Sequence, residues 1–351
     1  MPIDKFDYRI NEGHPNIQVD LSIVIPVYNT ELIYIKKCLS SVSACRDFGI
    51  SLEVILVDDG SESEYVEQLR SVVNELTPFA SFFSKSNGGQ NSARSLGINY
   101  ATGRYVLFLD SDDFLIPEEL DNTVSAALKY NPQILLYNLC RIDEYGSLID
   151  YATIRSGDFI WIDHSEAIFE SGCLSRQLYR RDILQASDIT LVEGPRIGED
   201  MASAVPLLLS ADKVGAIGTC PYHYVQRSSS ALHSVPASRV PDIINASEQM
   251  LSRISEKLFN QYQCEIEGLC IEHIVYWGSM RAFKLCGVES TYRMHMSEWM
   301  DSHFPGWRFS KGAIRALKKY GLEYLFLSFG SWRVYGFYSK LKDSLSRILS
   351  Q

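Results

Sequence analysis

Residues 105–113 read YVLFLDSDD, an apolar run that stops abruptly at Asp110, Ser111, Asp112 and Asp113, with Pro117 shortly after opening a helix. Three carboxylates at the end of a strand point to a cation. Hard divalent ions such as Mg²⁺ and Mn²⁺ take oxygen ligands, and proteins that handle phosphates offer one or two carboxylates while substrate phosphates supply the rest. Ligands of open α/β sheets also bind at the carboxyl ends of the strands. Ser111 or Asp113 could instead simply cap the following helix. A second acidic strand end favours the ligand site: Leu52 to Val57 (LEVILV) runs into Asp58, Asp59, Gly60 and Ser61. Two such ends in one chain suggest a nucleotide site.

Outward from this stretch the first half alternates strand and helix. Ser22 to Val27 is a short apolar run, and Leu32, Ile35, Leu39 and Val42 then recur at helical spacing. Leu52 to Val57 is followed by a helix carrying Tyr65, Leu69, Val72, Val73 and Leu76. Phe79 to Phe83 is a third strand, Asn87-Gly88-Gly89 turns into a helix around 92–101, Tyr105 to Leu109 is the fourth strand and Ile134 to Tyr137 the fifth. Such alternation builds a parallel sheet with right-handed crossovers. Past residue 140 it fades. Glu199 to Ser210 reads as helix, Lys213 to Val225 as extended chain, and everything from about Pro236 as helical.

The chain has 351 residues, 46% of them hydrophobic, enough for one large core and a smaller second unit. No run approaches the roughly 18 uninterrupted apolar residues of a membrane span. The N-terminus, MPIDKFDYRINEGHP, lacks the apolar core of a secretory signal, so a cytoplasmic location is expected. Eight cysteines without a CxxC pair read as unpaired, mostly buried thiols. The net charge of −10 is uneven: residues 311–351 carry eight lysines and arginines against two acids, a net +6, which leaves −16 on the rest. That acidic body disfavours nucleic acid as a partner.

Taken in order, IVIPVYN (23–29), VDDGS (57–61), NGGQNSARSLGINYATGRYVLFLDSDD (87–113) and GEDM (198–201) resemble family 2 glycosyltransferases, over residues 21 to about 232. The resemblance implies an α/β GT-A fold, a mostly parallel sheet flanked by helices, that transfers a sugar from a nucleotide diphosphate with inversion. It implies that Asp59 accepts a hydrogen bond from a pyrimidine ring, favouring a UDP-sugar, while Pro26, Val27 and Tyr28 line the nucleoside pocket. Asp112 would hold Mn²⁺ or Mg²⁺, with Asp110 on the ribose or on the metal through water, and Asp113 would cap the next helix. Arg94 would face the nucleotide or phosphates, or else form a surface salt bridge. Asp200 matches the general base, with Glu199 orienting it. In HYVQRSSSAL (223–232), Arg227 would pair with phosphate, Ser230 would donate a hydrogen bond, and His223 would complete the metal shell or pack as an ordinary strand residue. Two departures from the family pattern are Ser95 and Arg176-Gln177, of which the second bears on donor and acceptor identity rather than reaction class.

The expected organisation is an N-terminal extension (1–20), a GT-A catalytic domain (21–235) and a mainly helical C-terminal domain (236–351) serving acceptor, oligomer or membrane contact. The expected activity moves a hexose from a UDP-sugar to a saccharide, lipid-linked or protein-linked glycan acceptor. The rival reading is a non-catalytic, glycosyltransferase-like subunit that binds a nucleotide sugar. The closing EYLFLSFGSWRVYGFYSKLKDSLSRILSQ interleaves aromatics with cations, which suits an interfacial membrane helix, a core-packing helix or a homo-oligomer contact.

Overall fold

The computed structural model describes residues 5–7, 18–186, 191–227 and 236–349. The chain divides into two compact units, Met1–Gly194 with Glu199–Ser230, and Pro195–Gly198 with Ala231–Gln351. The short Pro195–Gly198 segment joins the second unit because the Arg196 amide donates to Asp242 at 2.9 Å.

The first unit is built on a nine-stranded sheet. Strands β1 (Lys5–Asp7), β2 (Leu21–Val27), β3 (Leu52–Asp58), β4 (Ser81–Ser84), β5 (Tyr105–Phe108), β7 (Ile134–Leu136), β10 (Ile160–Trp161), β11 (Gln177–Arg180) and β12 (Val214–Ala216) lie in the order β1-β4-β3-β2-β5-β11-β7-β12-β10. The centre, β4-β3-β2-β5, is parallel. Helices α1 (Leu32–Ala44), α2 (Ser63–Leu76) and α3 (Gln90–Tyr100) cross between these strands. All seven residues of β2 are buried, as a strand covered on both faces requires. Each fully buried Val, Leu or Ile there contributes about 1.5–3 kcal/mol of transfer free energy. Gly97 lets α3 lie directly on β2, since a Cβ there would overlap the Val24 side chain.

Beyond β5 the sequence expectation needs correcting. The expected fifth strand, β7, does not pair with β5. β11, which its sequence did not announce, enters between them antiparallel to both. Extended chain was expected from Lys213 to Val225, yet this stretch is two strands in two sheets. β12 continues the large sheet, whereas β13 (Tyr222–Gln226) joins β6 (Phe114–Leu115), β8 (Leu139–Asp143) and β9 (Leu148–Ala152) in a second sheet of order β6-β13-β8-β9. That second sheet holds the acidic turn after β5, because β6 leaves this turn and pairs with β13. Helix α4 (Pro117–Tyr130) follows, with proline in its first turn.

The second unit is helical. Helix Asp242–Ser252 is followed by a long helical run, Gln263–Cys270, a π-helical Ile271–Gly278 and Ser279–Cys286. Ile266, Leu269, Ile274, Met296, Trp299, Trp307 and Leu327 fill its core. The aromatic stripe at the C-terminus is divided: Tyr324, Trp332 and Tyr335 are buried, while Phe329 and Phe337 are exposed. Among the described residues all cysteines are unpaired, and Cys264 and Cys286 are exposed rather than buried.

Candidate active site

At the ends of β2 and β3, Asp59 is buried and organises the loop that starts α3. Its carboxylate accepts from Lys85 Nζ at 2.8 Å and from the amides of Gly88 at 3.0 Å and Gly89 at 2.7 Å. Asn87 Nδ2 returns a bond to the Asp59 carbonyl at 2.8 Å. Gly89 has φ +92°, a conformation for which glycine is suited. A carboxylate offers about four lone-pair directions, so a ring N–H would be one further donor to an acceptor already held in place. Neighbouring Asp58 accepts from the Ser61 amide and Ser84 Oγ. The residue at the N-cap of α2 is Glu62, so neither aspartate is the helix cap. Of the three expected nucleoside-pocket residues, Pro26 and Val27 are buried and Tyr28 is 55% exposed.

The turn after β5 separates its carboxylates into different tasks. Asp110 accepts from Gln90 Nε2 at 2.7 Å and Arg94 Nη2 at 2.6 Å, while its amide donates to Tyr222 Oη at 3.1 Å. Asp112 pairs with Arg227. Asp113 is not a helix cap. β6 intervenes before α4, whose N-cap is Ile116, and the buried Asp113 carboxylate instead accepts from Tyr222 Oη at 2.6 Å and the Val225 amide at 2.7 Å. Burial, then the charges of Asp112 and Asp110, push its pKa well above the usual carboxylate range.

Arg94 is not the surface salt bridge that was one of its two expected roles. It is neither on the surface nor placed toward open solvent: its side chain is fully buried and forks between two acids. Nη2 donates to Asp110 and Nη1 donates to Asp200 Oδ1 at 2.7 Å and to Asn91 Oδ1 at 2.9 Å. Burial opposes its charge, but Asp200 and Asp110 outweigh burial and hold the guanidinium protonated. The planar fork suits this role in a way that an ammonium does not. Asn91, one helical turn earlier on α3, reaches the Val192 carbonyl at 2.9 Å and Ser203 Oγ at 3.2 Å. α3 therefore fixes the start of helix Glu199–Ser210 through two side chains on one face.

Glu199 and Asp200 occupy the first turn of that helix, where negative charge suits the helix dipole. Asp200 Oδ1 is taken by Arg94, while among the described residues Oδ2 accepts a long 3.4 Å bond from the Leu174 amide. Burial, and then the Asp200 charge, push Glu199 up to about 7. The nearby Gln177 is buried and donates to the carbonyls of Ser171 and Cys173, and Arg176 pairs with Glu170.

Arg227 lies with its guanidinium 4.5 Å from the Tyr34 ring and 4.0 Å from Glu31, as well as on Asp112. The His223 ring lies 5.0 Å from that of Phe114 and is half buried, and its pKa is lowered by burial and then by Lys37. Ser230 lies outside the described residues. Among the described residues no three His, Cys, Asp or Glu side chains converge on one point as an all-protein metal cage would require. Asp112 and Asp110 nonetheless fit the oxygen-rich, one-or-two-carboxylate donor set of a phosphate-bound Mg²⁺ or Mn²⁺. Lys85, Gln90, Asn91 and Tyr222 are contributors that the sequence reading missed. Lys85 and Gln90 flank the NGG turn, and Tyr222 stands directly before His223, so position alone was their signal.

The fold and the acidic strand ends define an α/β ligand-binding domain of the GT-A type, with its polar groups gathered where the parallel strands end. Residues 22–184 match the model for "Glycosyl transferase family 2". It is 30% identical over 147 residues to an uncharacterized glycosyltransferase of Haemophilus influenzae, covering 39% of this chain and 58% of that one. It is 25% identical over 208 residues to the poly(ribitol-phosphate) beta-N-acetylglucosaminyltransferase TarS of Staphylococcus aureus, covering 59% of this chain and 35% of TarS. The chain thus spans between about a third and three fifths of the length of these relatives. A crystal structure of S. aureus TarS 1-349 in complex with UDP-GlcNAc superposes with TM-score 0.67 at 18% identity, covering 90% of this chain and 89% of that one, a likeness of fold.

Proposed function

We propose that this chain is an inverting glycosyltransferase that moves a hexose or N-acetylhexosamine from a UDP-sugar to a hydroxyl of a saccharide or glycoconjugate. The observation that carries this reading is the Arg94 fork, which ties the donor-side carboxylate Asp110 and the acid Asp200 to one buried guanidinium. Inversion needs a proton acceptor on the face of the sugar opposite the leaving group. Asp200 is that acceptor: Arg94 fixes one of its oxygens and leaves Oδ2, which among the described residues accepts a single long bond, to take the proton from the attacking hydroxyl. Glu199, its pKa pushed up to about 7 by burial and then by the Asp200 charge, is partly protonated near neutral pH and so lessens the adjacent negative charge on Asp200.

On the donor side Asp59 reads the pyrimidine N–H from a carboxylate pre-oriented by the NGG loop, and Tyr28 supplies an exposed ring beside it. Asp112 and Asp110 would hold Mn²⁺ or Mg²⁺, which when bound neutralises the charge gathering on the departing diphosphate. Arg227, already a partner of Asp112, moves to the diphosphate as a cation of the same site. The UDP-GlcNAc complex of the TarS fold supports a uridine nucleotide as donor, and the polymer-glycosylating relatives support an extended acceptor. The test is UDP release by the full chain with Mn²⁺ over a panel of UDP-sugars and saccharide acceptors. Turnover abolished by Asp112→Asn and by Asp200→Asn supports the proposal. Absence of release for every donor and acceptor favours a sugar-nucleotide-binding subunit without catalysis.

A further inference from the structure

We propose that the exposed face of helix Lys311–Ser328 docks the protein onto an anionic lipid bilayer. The inference is independent of the catalytic reading and rests on the second unit alone.

Lys311, Ile314, Arg315 and Lys318 follow one another at helical spacing on one side of this helix, and with Lys319 they line a shallow depression of about 450 Å³. The opposite side of its first part, with Gly312, Ala313 and Ala316, is buried in the core of the unit, and beyond a break in the helix at Gly321 (φ +58°) Tyr324 and Leu327 are buried as well. Ile314 is 52% and Leu317 40% exposed, so aliphatic surface stands among the cations. From Ser302 to Leu322 the sequence contains no acid; within that stretch Arg308 pairs with Asp301 at 2.8 Å and Lys319 with Glu272 at 2.5 Å. The cationic segment belongs to a chain whose remaining residues carry −16.

Three occupants could meet such a face, and charge and apolarity together favour one. A two-fold contact with a second copy would set the same cations against each other, since an isologous interface pairs one patch with itself. A soluble polyanion would reward the cations but leave Ile314 and Leu317 in water. An anionic bilayer rewards both, because basic side chains meet lipid phosphates while aliphatic side chains enter the boundary between headgroups and acyl chains. Among the described residues no helix is long and apolar enough to cross a membrane, which leaves surface docking as the mode.

The test is sedimentation of the full chain with vesicles of phosphatidylcholine alone or mixed with phosphatidylglycerol. The expected result is binding to the mixed vesicles, little to the neutral ones, and loss at high salt. Each cation near such a surface is worth about a fivefold change in partition, so a Lys311→Gln, Arg315→Gln, Lys318→Gln variant should bind about a hundredfold more weakly. Ile314→Ser with Leu317→Ser should weaken binding with the charge intact, and unchanged melting temperatures would show that both variants fold. No binding of the parent chain to mixed vesicles, or binding indifferent to both variants, overturns the proposal. So does self-association in analytical ultracentrifugation that the same substitutions abolish, or binding to a soluble polyanion without binding to vesicles.

Discussion

Arg94 joins Asp110 and Asp200 through separate nitrogens of one buried guanidinium, at 2.6 and 2.7 Å, although the two acids are ninety residues apart in the chain. Both acids are therefore positioned by a single side chain of α3. Replacing it with alanine leaves two partly buried carboxylates facing each other. Breaking such a pair costs about 3–5 kcal/mol, so Arg94→Ala should lower the denaturant midpoint strongly. Arg94→Lys keeps the charge but loses the fork, and should fold while turning over slowly. A lysine variant with parental kcat would contradict the positioning role.

Tyr222 and Asp113 are expected to act on stability rather than on ligand. Tyr222 donates to Asp113 and accepts from the Asp110 amide, pinning the acidic turn to β13. Tyr222→Phe should cost about 1 kcal/mol or somewhat more, read from urea unfolding, with UDP affinity unchanged. Weakened UDP binding at unaltered stability would show that this pair faces the ligand instead.

Glu199 gives the site a pH signature. Its pKa rises from 4.5 to about 7 on folding, through burial and then the Asp200 charge, so between these values the folded chain binds more protons than the unfolded one. Stability must then fall as pH rises through that window. Glu199→Gln mimics the protonated acid and should flatten the decline, measured as urea midpoints at about pH 5 and about pH 7.5. It should also retain most activity at neutral pH, whereas a Gln variant as inactive as Asp200→Asn would make Glu199 itself the proton acceptor.

Asp112 should separate metal from nucleotide. In thermal shift assays UDP with Mn²⁺ should stabilise the parent chain more than UDP alone, and Asp112→Asn should remove that increment. Because Arg227 is the partner of Asp112 in this structure, Arg227→Gln should weaken UDP binding while leaving the Mn²⁺ increment in place. An increment that survives Asp112→Asn would place the ion elsewhere.

Much of this architecture was legible in the sequence because it is local. β2, β3 and β5 are apolar runs, the last two with acidic ends, and the helices between them carry a 3.6-residue period. β11 was hidden because QLYR is short and pairs only with strands distant in the chain, and β6 because two residues carry no period. Asp113 reads as a helix cap to anyone who cannot see β6. Arg94 illustrates the same limit at the site: its place in the NGGQNSAR segment marked it as functional, but whether it met solvent, phosphate or carboxylate depended on Asp200, which no local pattern connects to it.

The most direct measurement is UDP release from a UDP-sugar in the presence of acceptor by the parent chain and by Asp200→Asn, with UDP affinity measured in parallel. Loss of a general base slows a reaction by about 10²–10⁴-fold, so the account predicts a fall of that size in kcat with UDP binding retained. An Asp200→Asn enzyme that releases UDP at the parental rate would contradict it.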